Sequence, residues 1–145
     1  DPQVGRLPVD LVTEPFPTRR TIYGLIDRQN LPGVFRTFDF ANPDTSNQGR
    51  FFTTVPQQAL FLMNSPFVIQ QAQQLVKRDG IARAKTQKDK IEAMYQLLWQ
   101  RPAETSEVRQ AEKFLALQPT ATTSLSPLEK YAQVLLLSNE LMFVD

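Results

Sequence analysis

Residues 35–64 contain the side chains of this sequence that are best suited to chemistry. The segment reads FRTFDFANPDTSNQGRFFTTVPQQALFLMN, so carboxylates, amides, hydroxyls and an arginine lie between aromatic residues. Ordered loops of this composition often carry binding residues. With two arginines that precede the segment, it supplies eight candidate ligand-binding residues, namely Arg20, Arg28, Asp39, Asn42, Asp44, Arg50, Gln58 and Asn64. No residue is assigned a catalytic role at this stage.

Four carboxylate or amide side chains within nine residues raise the question of a calcium site: Asp39, Asn42, Asp44 and Asn47. A calcium loop of the EF-hand type has ligands at alternate positions, a Gly at the turn and a bidentate Glu at the twelfth position. FDFANPDTSNQG provides none of these in register. Turns in which Asx side chains bond their own backbone explain Pro43 and Gly49 better, and we assign no metal ligand.

Carboxylate pairs offer a second chemistry. Asp27 with Asp39 or Asp44 could act as the acid and base of a glycosidase, which needs a separation of about 5 to 9.5 Å. Arg20, with the arginine before it, could clamp a phosphate or carboxylate, although such pairs are usually solvated. Two hypotheses stay open. One is a structural or interaction module whose polar residues satisfy one another, and the other is a hydrolytic or polysaccharide-binding domain with unpaired carboxylates.

Asp39 and Arg50 bracket the polar loop with opposite charges. We hypothesise that residues 39–50 form an ordered structural lock, in which Asp39 pairs with Arg20, Arg28 or Arg50, because buried charges persist only when paired. If that pair were partly buried, Asp39→Ala would cost about 3 to 5 kcal/mol.

The composition excludes several classes of reaction. The sequence contains no Cys and no His, so it offers no disulfide, thiolate nucleophile or imidazole base, and no ordinary zinc or haem ligand set. We expect no cofactor in this domain. Sixteen basic and fifteen acidic residues leave a net charge of +1, which gives no reason to expect nucleic acid as a partner. The longest apolar run has five residues, 59–63, whereas a membrane span needs about 18.

The surrounding elements are predicted to be helical. A chain of 145 residues suits one domain over 1–145. We divide it into a Pro-rich extended strap over 1–18, short helices and the polar loop over 19–53, and a helical bundle over 54–145. Because the sequence starts without Met or a leader, we interpret it as the C-terminal part of a longer protein.

Capping signals and apolar spacing predict five helices, near residues 55–64, 66–79, 88–101, 106–118 and 127–138. Each of their starts has a cap or a proline in the first turn, such as the capping box of Ser126 and Glu129. Gly80 is predicted to end the second helix. A weaker helical pattern runs from Ile22 to Gln29, and a helical turn is predicted after Pro32. The fold is therefore predicted to be all-α, a small helical bundle with the irregular N-terminal third packed on it.

Four segments carry a resemblance to a known family: RRTIY, FRTFDFANPD, GRFFTTVPQQALFLMN and SNELMFVD. From about Val4 to Asp145 the chain resembles the C-terminal domain of unknown function of large planctomycete proteins, whose relatives also carry cytochrome-c-like domains. The resemblance implies a module of a larger, exported protein, which we expect to contact other domains of the parent chain or a protein partner. A polysaccharide is the partner that the hydrolytic or polysaccharide-binding hypothesis implies. The resemblance implies no reaction.

Overall fold

The structure is a computed structural model that describes residues 9–12, 14–18, 20–25, 27, 29–41, 56–117 and 125–142. Within these residues it contains a 3₁₀ turn at Thr21–Tyr23, eight α-helices and no β-strand. The helices are α1 (Gly33–Thr37), α2 (Pro56–Asn64), α3 (Pro66–Val76), α4 (Asp79–Ala82), α5 (Gln87–Trp99), α6 (Thr105–Leu117), α7 (Pro127–Leu136) and α8 (Asn139–Met142). The all-α prediction is confirmed. Among the described helices, none has the length and apolar character needed to cross a bilayer.

The chain divides into two compact units, Asp1–Phe67 and Val68–Asp145. The first unit contains the 3₁₀ turn, α1 and α2. The second contains most of α3 and all of α4 to α8. In the second unit α4 packs on α5, α5 packs on α6 and α8, and α6 packs on α7.

The core of the second unit is built from the apolar stripes that the helical period predicts. Ile91 and Met94 of α5 are fully buried, and Ile81 of α4 packs beside them. Helices α3, α6 and α7 add residues that lie on one side of each helix, so each turns one face inward. These residues are Ala72, Leu75, Val108, Ala111, Leu115, Tyr131, Ala132 and Leu135.

Two capping boxes fix the starts of α5 and α7; the box at α7 was predicted, whereas at α5 only a start after Thr86 was predicted, and a further predicted box, Thr54 with Gln57, begins outside the described residues. At α5 the hydroxyl of Thr86 accepts from the amide of Asp89 (3.0 Å), and the Asp89 carboxylate accepts from the amide of Thr86 (3.2 Å). Ser126 and Glu129 make the same exchange at α7 (3.3 and 2.7 Å). Each box satisfies two amides that the helix itself leaves unbonded.

The structure corrects the predicted end of the second helix. Helix α3 stops at Val76, and Gly80, predicted as its terminator, lies inside the separate helix α4. Arg78 is extended (φ −62°, ψ 138°) and so breaks the chain of helical hydrogen bonds. The break lets Ile81 reach the core, where it is buried. Burial of an isoleucine stabilises by about 1.5 to 3 kcal/mol.

The starts of α6 and α3 differ in detail from the prediction that each helix begins with a cap or a proline in the first turn. Helix α6 begins at Thr105, one residue earlier than predicted, because the amide of Glu104 donates to the carboxylate of Glu107 (2.7 Å). The hydroxyl of Ser65 is buried with no hydrogen-bond partner in the described structure, so it does not cap α3. Pro66 nevertheless occupies the first helical position, as predicted.

In the first unit the helix predicted from Ile22 is replaced, over residues 21–25, by the 3₁₀ turn and extended backbone. Gly24 ends the turn with extended dihedral angles, and the side chain of Val9 packs against its α-carbon. β-Branched residues and a glycine give this stretch low helix propensity, so that contact decides its conformation. The turn predicted after Pro32 is confirmed as α1.

Candidate functional site

Asp39, the central candidate of the sequence, lies at the end of α1 in a left-handed conformation (φ 52°). The amide of Phe40 donates to the carbonyl of Phe35 (2.8 Å), and the amide of Asp39 donates to the backbone carbonyl of Arg36 (3.4 Å). The rings of Phe35 and Phe40 pack with centroids 4.9 Å apart. These contacts form a Schellman motif, in which a left-handed residue closes a helix and an apolar pair covers the turn. Asp39 therefore has a backbone role.

Gln58 of α2 connects this turn to the next helix. Its side-chain amide donates to the carbonyl of Thr37 (3.0 Å) and to the carboxylate of Asp39 (3.4 Å). Beside it, Phe38 packs edge-to-face on Phe61 of α2, with centroids 5.5 Å apart. Thr37 is the last residue of α1, where the helix leaves carbonyls without internal partners. Gln58 thus caps α1 while the aromatic pair packs α1 on α2.

The remaining candidates do not join this cluster within the described structure. Asn64 donates its side-chain amide to the carbonyl of Leu60 in its own helix (2.9 Å). Arg20 is exposed and precedes the 3₁₀ turn, where its carbonyl accepts from Tyr23 (3.0 Å). The other four candidates lie outside the described residues: Arg28, Asn42, Asp44 and Arg50. The hypothesis that Asp39 pairs with Arg50 therefore stays a prediction, although Asp39 is exposed rather than partly buried.

A cavity of about 320 Å³ lies in the first unit, between the described strap residues and the segment before α1. Two carboxylates, Asp10 and Asp27, line it together with apolar side chains such as Val34. Each carboxylate accepts a backbone amide two residues ahead, from Val12 (2.7 Å) and Gln29 (2.9 Å). The cavity is at the lower end of the size range of small-molecule sites, and each carboxylate devotes one oxygen to a local turn.

The densest polar cluster of the second unit was not predicted from the sequence, and it surrounds Arg101. The guanidinium donates to both carboxylate oxygens of Glu107 (2.8 and 2.9 Å) and to both of Glu140 (2.6 and 2.9 Å). A fifth bond goes to the carbonyl of Pro102 (3.2 Å). A guanidinium has five N–H donors in all. Arg101 thus joins the start of α6 to α8 and has no donor left for a ligand.

Aromatic rings form the inner wall of this cluster. The guanidinium carbon of Arg101 lies 5.3 Å from the ring centroid of Tyr95 and 5.4 Å from that of Trp99, within the range of a cation–π contact. The hydroxyl of Tyr95 bonds that of Tyr131 in the core (3.4 Å). Burial raises the pKa of Tyr131 and, less strongly, that of Tyr95, so both hydroxyls stay protonated at neutral pH.

The charged groups of this cluster shift one another's pKa values so that each group favours its ionised form. Hydrogen bonds from Arg101 hold the pKa of Glu107 and that of Glu140 below their usual range. The same bonds raise the pKa of Arg101. The side chains of Arg101, Glu107 and Glu140 are 33%, 25% and 46% exposed. A permanently charged, fully bonded trio has no proton to transfer near neutral pH, and its arrangement suits a structural junction.

The sequence gives only part of the signal for this junction. Glu107 lies in the first turn of α6, a position that acidic residues favour and that the helical pattern of the sequence locates. Nothing in local spacing connects Arg101 with Glu140, which lies 39 residues further along the chain. Among the described residues, no three acidic side chains converge as the ligands of a metal ion would.

Comparison with known proteins gives one match. Neither the curated proteins nor the solved structures contain a match to this chain. The family model of PSD1, a protein of unknown function (DUF1553), matches residues 11–115. The match covers more than half of the chain, including the α1–α2 cluster and helices α3 to α5. The chain therefore belongs to the PSD1 family of proteins of unknown function.

Proposed function

We propose that the domain is a non-catalytic interaction module of a larger multidomain protein and that α2 carries the contact. The parent protein is of the large planctomycete type, exported, with relatives that carry cytochrome-c-like domains; the four motifs of the sequence support this part of the proposal. The partner is protein, either another domain of the parent chain or a separate chain.

The exposed apolar side of α2 carries the proposal. Leu60 and Met63 are each 57% exposed, and residues three apart lie on the same side of a helix. The helix contains no charged residue and buries none of its residues. An uncharged helix face with two large apolar side chains in solvent is typical of a surface that a partner protein covers.

The hydrogen bonds of the polar residues of α2 and of the turn after α1 support a non-catalytic role. Gln58 and Asp39 bond each other and the end of α1, and Asn64 bonds its own helix. A catalytic carboxylate must lie within hydrogen-bond reach of the group on which it acts. The described contacts of this cluster instead close a helix and pack α1 on α2.

The experiment is to titrate the 145-residue chain into the remainder of the parent protein, using isothermal calorimetry. The double variant Leu60→Ser with Met63→Ser should weaken the association by about 2 kcal/mol, since it removes most of the apolar area of two half-exposed side chains. Both side chains are exposed, so the stability of the isolated domain should change by less than about 0.5 kcal/mol.

Val134→Ser provides the control, because Val134 is an exposed apolar residue of α7 in the second unit. It should leave the association unchanged. No heat of binding with the wild-type chain, or equal weakening by the control, would reject α2 as the contact surface.

A second candidate function rests on the cavity in the first unit. Asp27, one of the carboxylates of the hydrolytic or polysaccharide-binding hypothesis, lines that cavity with Asp10. Retardation of the chain in native gels that contain polysaccharide, abolished by Asp27→Asn, would favour this function over the interaction module.

A further inference from the structure

A strongly basic surface surrounds α4 in the second unit. Within residues 77–90 there are six cations and two carboxylates, a net charge of +4, whereas the rest of the chain carries −3. The cations flank α4 and continue into the first turn of α5. We call the set the α4 basic surface: Lys77, Arg78, Arg83, Lys85, Lys88 and Lys90.

These cations face solvent and are weakly compensated. Five of the six are exposed, and Lys90 is half-buried. In this part of the described structure the one ion pair joins Arg83 to Asp79 at 3.3 Å, between side chains that are at least 80% exposed. Such a pair contributes little. The second carboxylate, that of Asp89, is occupied with capping α5.

The positions of the lysines are not explained by helix stability. Lys88 and Lys90 lie in the first turn of α5, where the partial positive charge of a helix end disfavours cations. Helix α5 has thirteen residues, so its dipole adds to the positive potential of the surface. The arrangement therefore concentrates positive potential at a small cost to the helix, as a surface that attracts anions would.

We propose that the α4 basic surface binds an acidic polypeptide segment. Residues 77–90 contain no aromatic ring on which a base could stack. Ile81, the largest apolar side chain of α4, is buried, so it cannot insert into a lipid surface as the apolar face of a peripheral helix does. A short run of Asp and Glu needs neither feature, because it matches closely spaced cations by charge alone. The proposal uses residues of the second unit alone and does not rest on the proposed contact of α2.

The test uses fluorescence anisotropy with the 145-residue chain and a fluorescein-labelled ten-residue peptide of alternating Asp and Glu. The neutral peptide of Asn and Gln is the reference ligand. Binding of the acidic peptide should be strong at low salt and should fall steeply as the salt concentration rises past the point where the Debye length is about 8 Å. The neutral peptide should not bind.

Charge reversal locates the binding surface. Lys85→Glu with Lys88→Glu should weaken peptide binding at least about ten-fold, since it removes two attractions and adds two repulsions at exposed positions. The matched control is Arg109→Glu with Lys113→Glu, which makes the same change of net charge on exposed residues of α6. The control should weaken peptide binding less than about three-fold, because salt screens interactions between exposed charges that are farther apart than the Debye length. If the reversal lowers the helical circular dichroism signal, Lys77→Gln with Arg78→Gln provides the second test, with a smaller expected loss.

Three results would overturn the proposal. The first is no binding of the acidic peptide by the wild-type chain at low salt. The second is equal weakening by the α4 and α6 reversals, which would show a non-specific effect of net charge. The third is tighter binding to phosphatidylserine vesicles, duplex DNA or oligogalacturonate than to the peptide. The double variant Leu60→Ser with Met63→Ser should bind the peptide as the wild type does, so failure of the α2 contact and failure of this surface are distinguishable.

Discussion

At the residue scale, Asp39 shows how a side chain with catalytic potential can serve the backbone instead. It occupies the left-handed position that follows α1, where glycine is the commonest residue and Asp or Asn are tolerated. Its carboxylate accepts from Gln58 at 3.4 Å, a long bond that contributes little beside the hydrogen bonds of the turn. The backbone requirement explains the residue type without a ligand.

Comparing two substitutions of Asp39 separates the backbone role from a role of its charge. Both Asp39→Gly and Asp39→Ala remove the carboxylate, but only Gly adopts the left-handed conformation without strain. The Gly variant should therefore be more stable than the Ala variant by about 1 kcal/mol, as measured by urea unfolding. An equal loss of about 3 to 5 kcal/mol in both variants would instead support the buried pairing of Asp39 with an arginine.

Gly24 is required for a different reason, because the packing around it leaves no room for a side chain. A β-carbon on Gly24 would collide with the side chain of Val9, whereas one on Gly80 of α4 would meet nothing within 4 Å. Gly24→Ala should open the contact of the strap with the 3₁₀ turn and increase hydrogen exchange in the first unit. Gly80→Ala is the matched control and should stabilise by about 0.5 to 1 kcal/mol, because alanine favours a helix. Unchanged exchange in Gly24→Ala would contradict the packing.

At the scale of elements, the helices were predictable where local chemistry determines them. The capping boxes at Thr86 and Ser126 fix the starts of α5 and α7 within a residue or so of the prediction. The break between α3 and α4 was not predictable, since the burial of Ile81 in the core depends on contacts with α5. Propensity favours continuation there, and tertiary packing overrides it.

The candidate site shows the same limit. The sequence identifies Asp39 and Gln58 as members of one polar feature, and the structure places them in contact. The sequence gives no indication of the Schellman turn, because an Asp indicates a left-handed conformation far less reliably than a Gly does. Nor does it indicate the junction at Arg101, whose partner Glu140 is remote in sequence. Long-range pairing of surface charges has no local periodicity from which it could be predicted.

At the scale of the whole molecule, charge is distributed unevenly, and its two concentrations have different roles. In the second unit the cations around α4 remain largely exposed. Arg101, which lies between α5 and α6, instead donates hydrogen bonds to the carboxylates of Glu107 in α6 and Glu140 in α8 and so connects these elements. The exposed cations around α4 produce a positive electrostatic potential in the surrounding solvent. The cluster around Arg101 is internally bonded, so its energy should be visible in the stability of the fold and in its dependence on pH.

The sign of that dependence follows from the lowered pKa values of Glu107 and Glu140. A carboxyl whose pKa is lower in the folded state stabilises the fold above its unfolded pKa, about 4.3, and this contribution is lost as pH falls through the folded pKa. We therefore expect the contribution of Glu107 and Glu140 to the melting temperature to be nearly constant from pH 7 to about 5. Below that pH their contribution should decrease, and the melting temperature should fall.

Arg101→Met should test this directly, since methionine keeps apolar contact with Tyr95 and Trp99 while the charge is removed. The variant should lose about 1 to 2 kcal/mol at pH 7, between the values for exposed and buried ion pairs because the cluster is partly exposed. Its stability should then depend less on acid than that of the wild type, because Glu107 and Glu140 no longer have their pKa values lowered by the guanidinium. Arg109→Met, at an exposed cation of α6, should leave the acid dependence as it is in the wild type. Thermal melts of the three proteins between pH 7 and pH 3 measure both effects, and parallel acid transitions in all three would mean that the Arg101 junction contributes nothing to the pH dependence of folding.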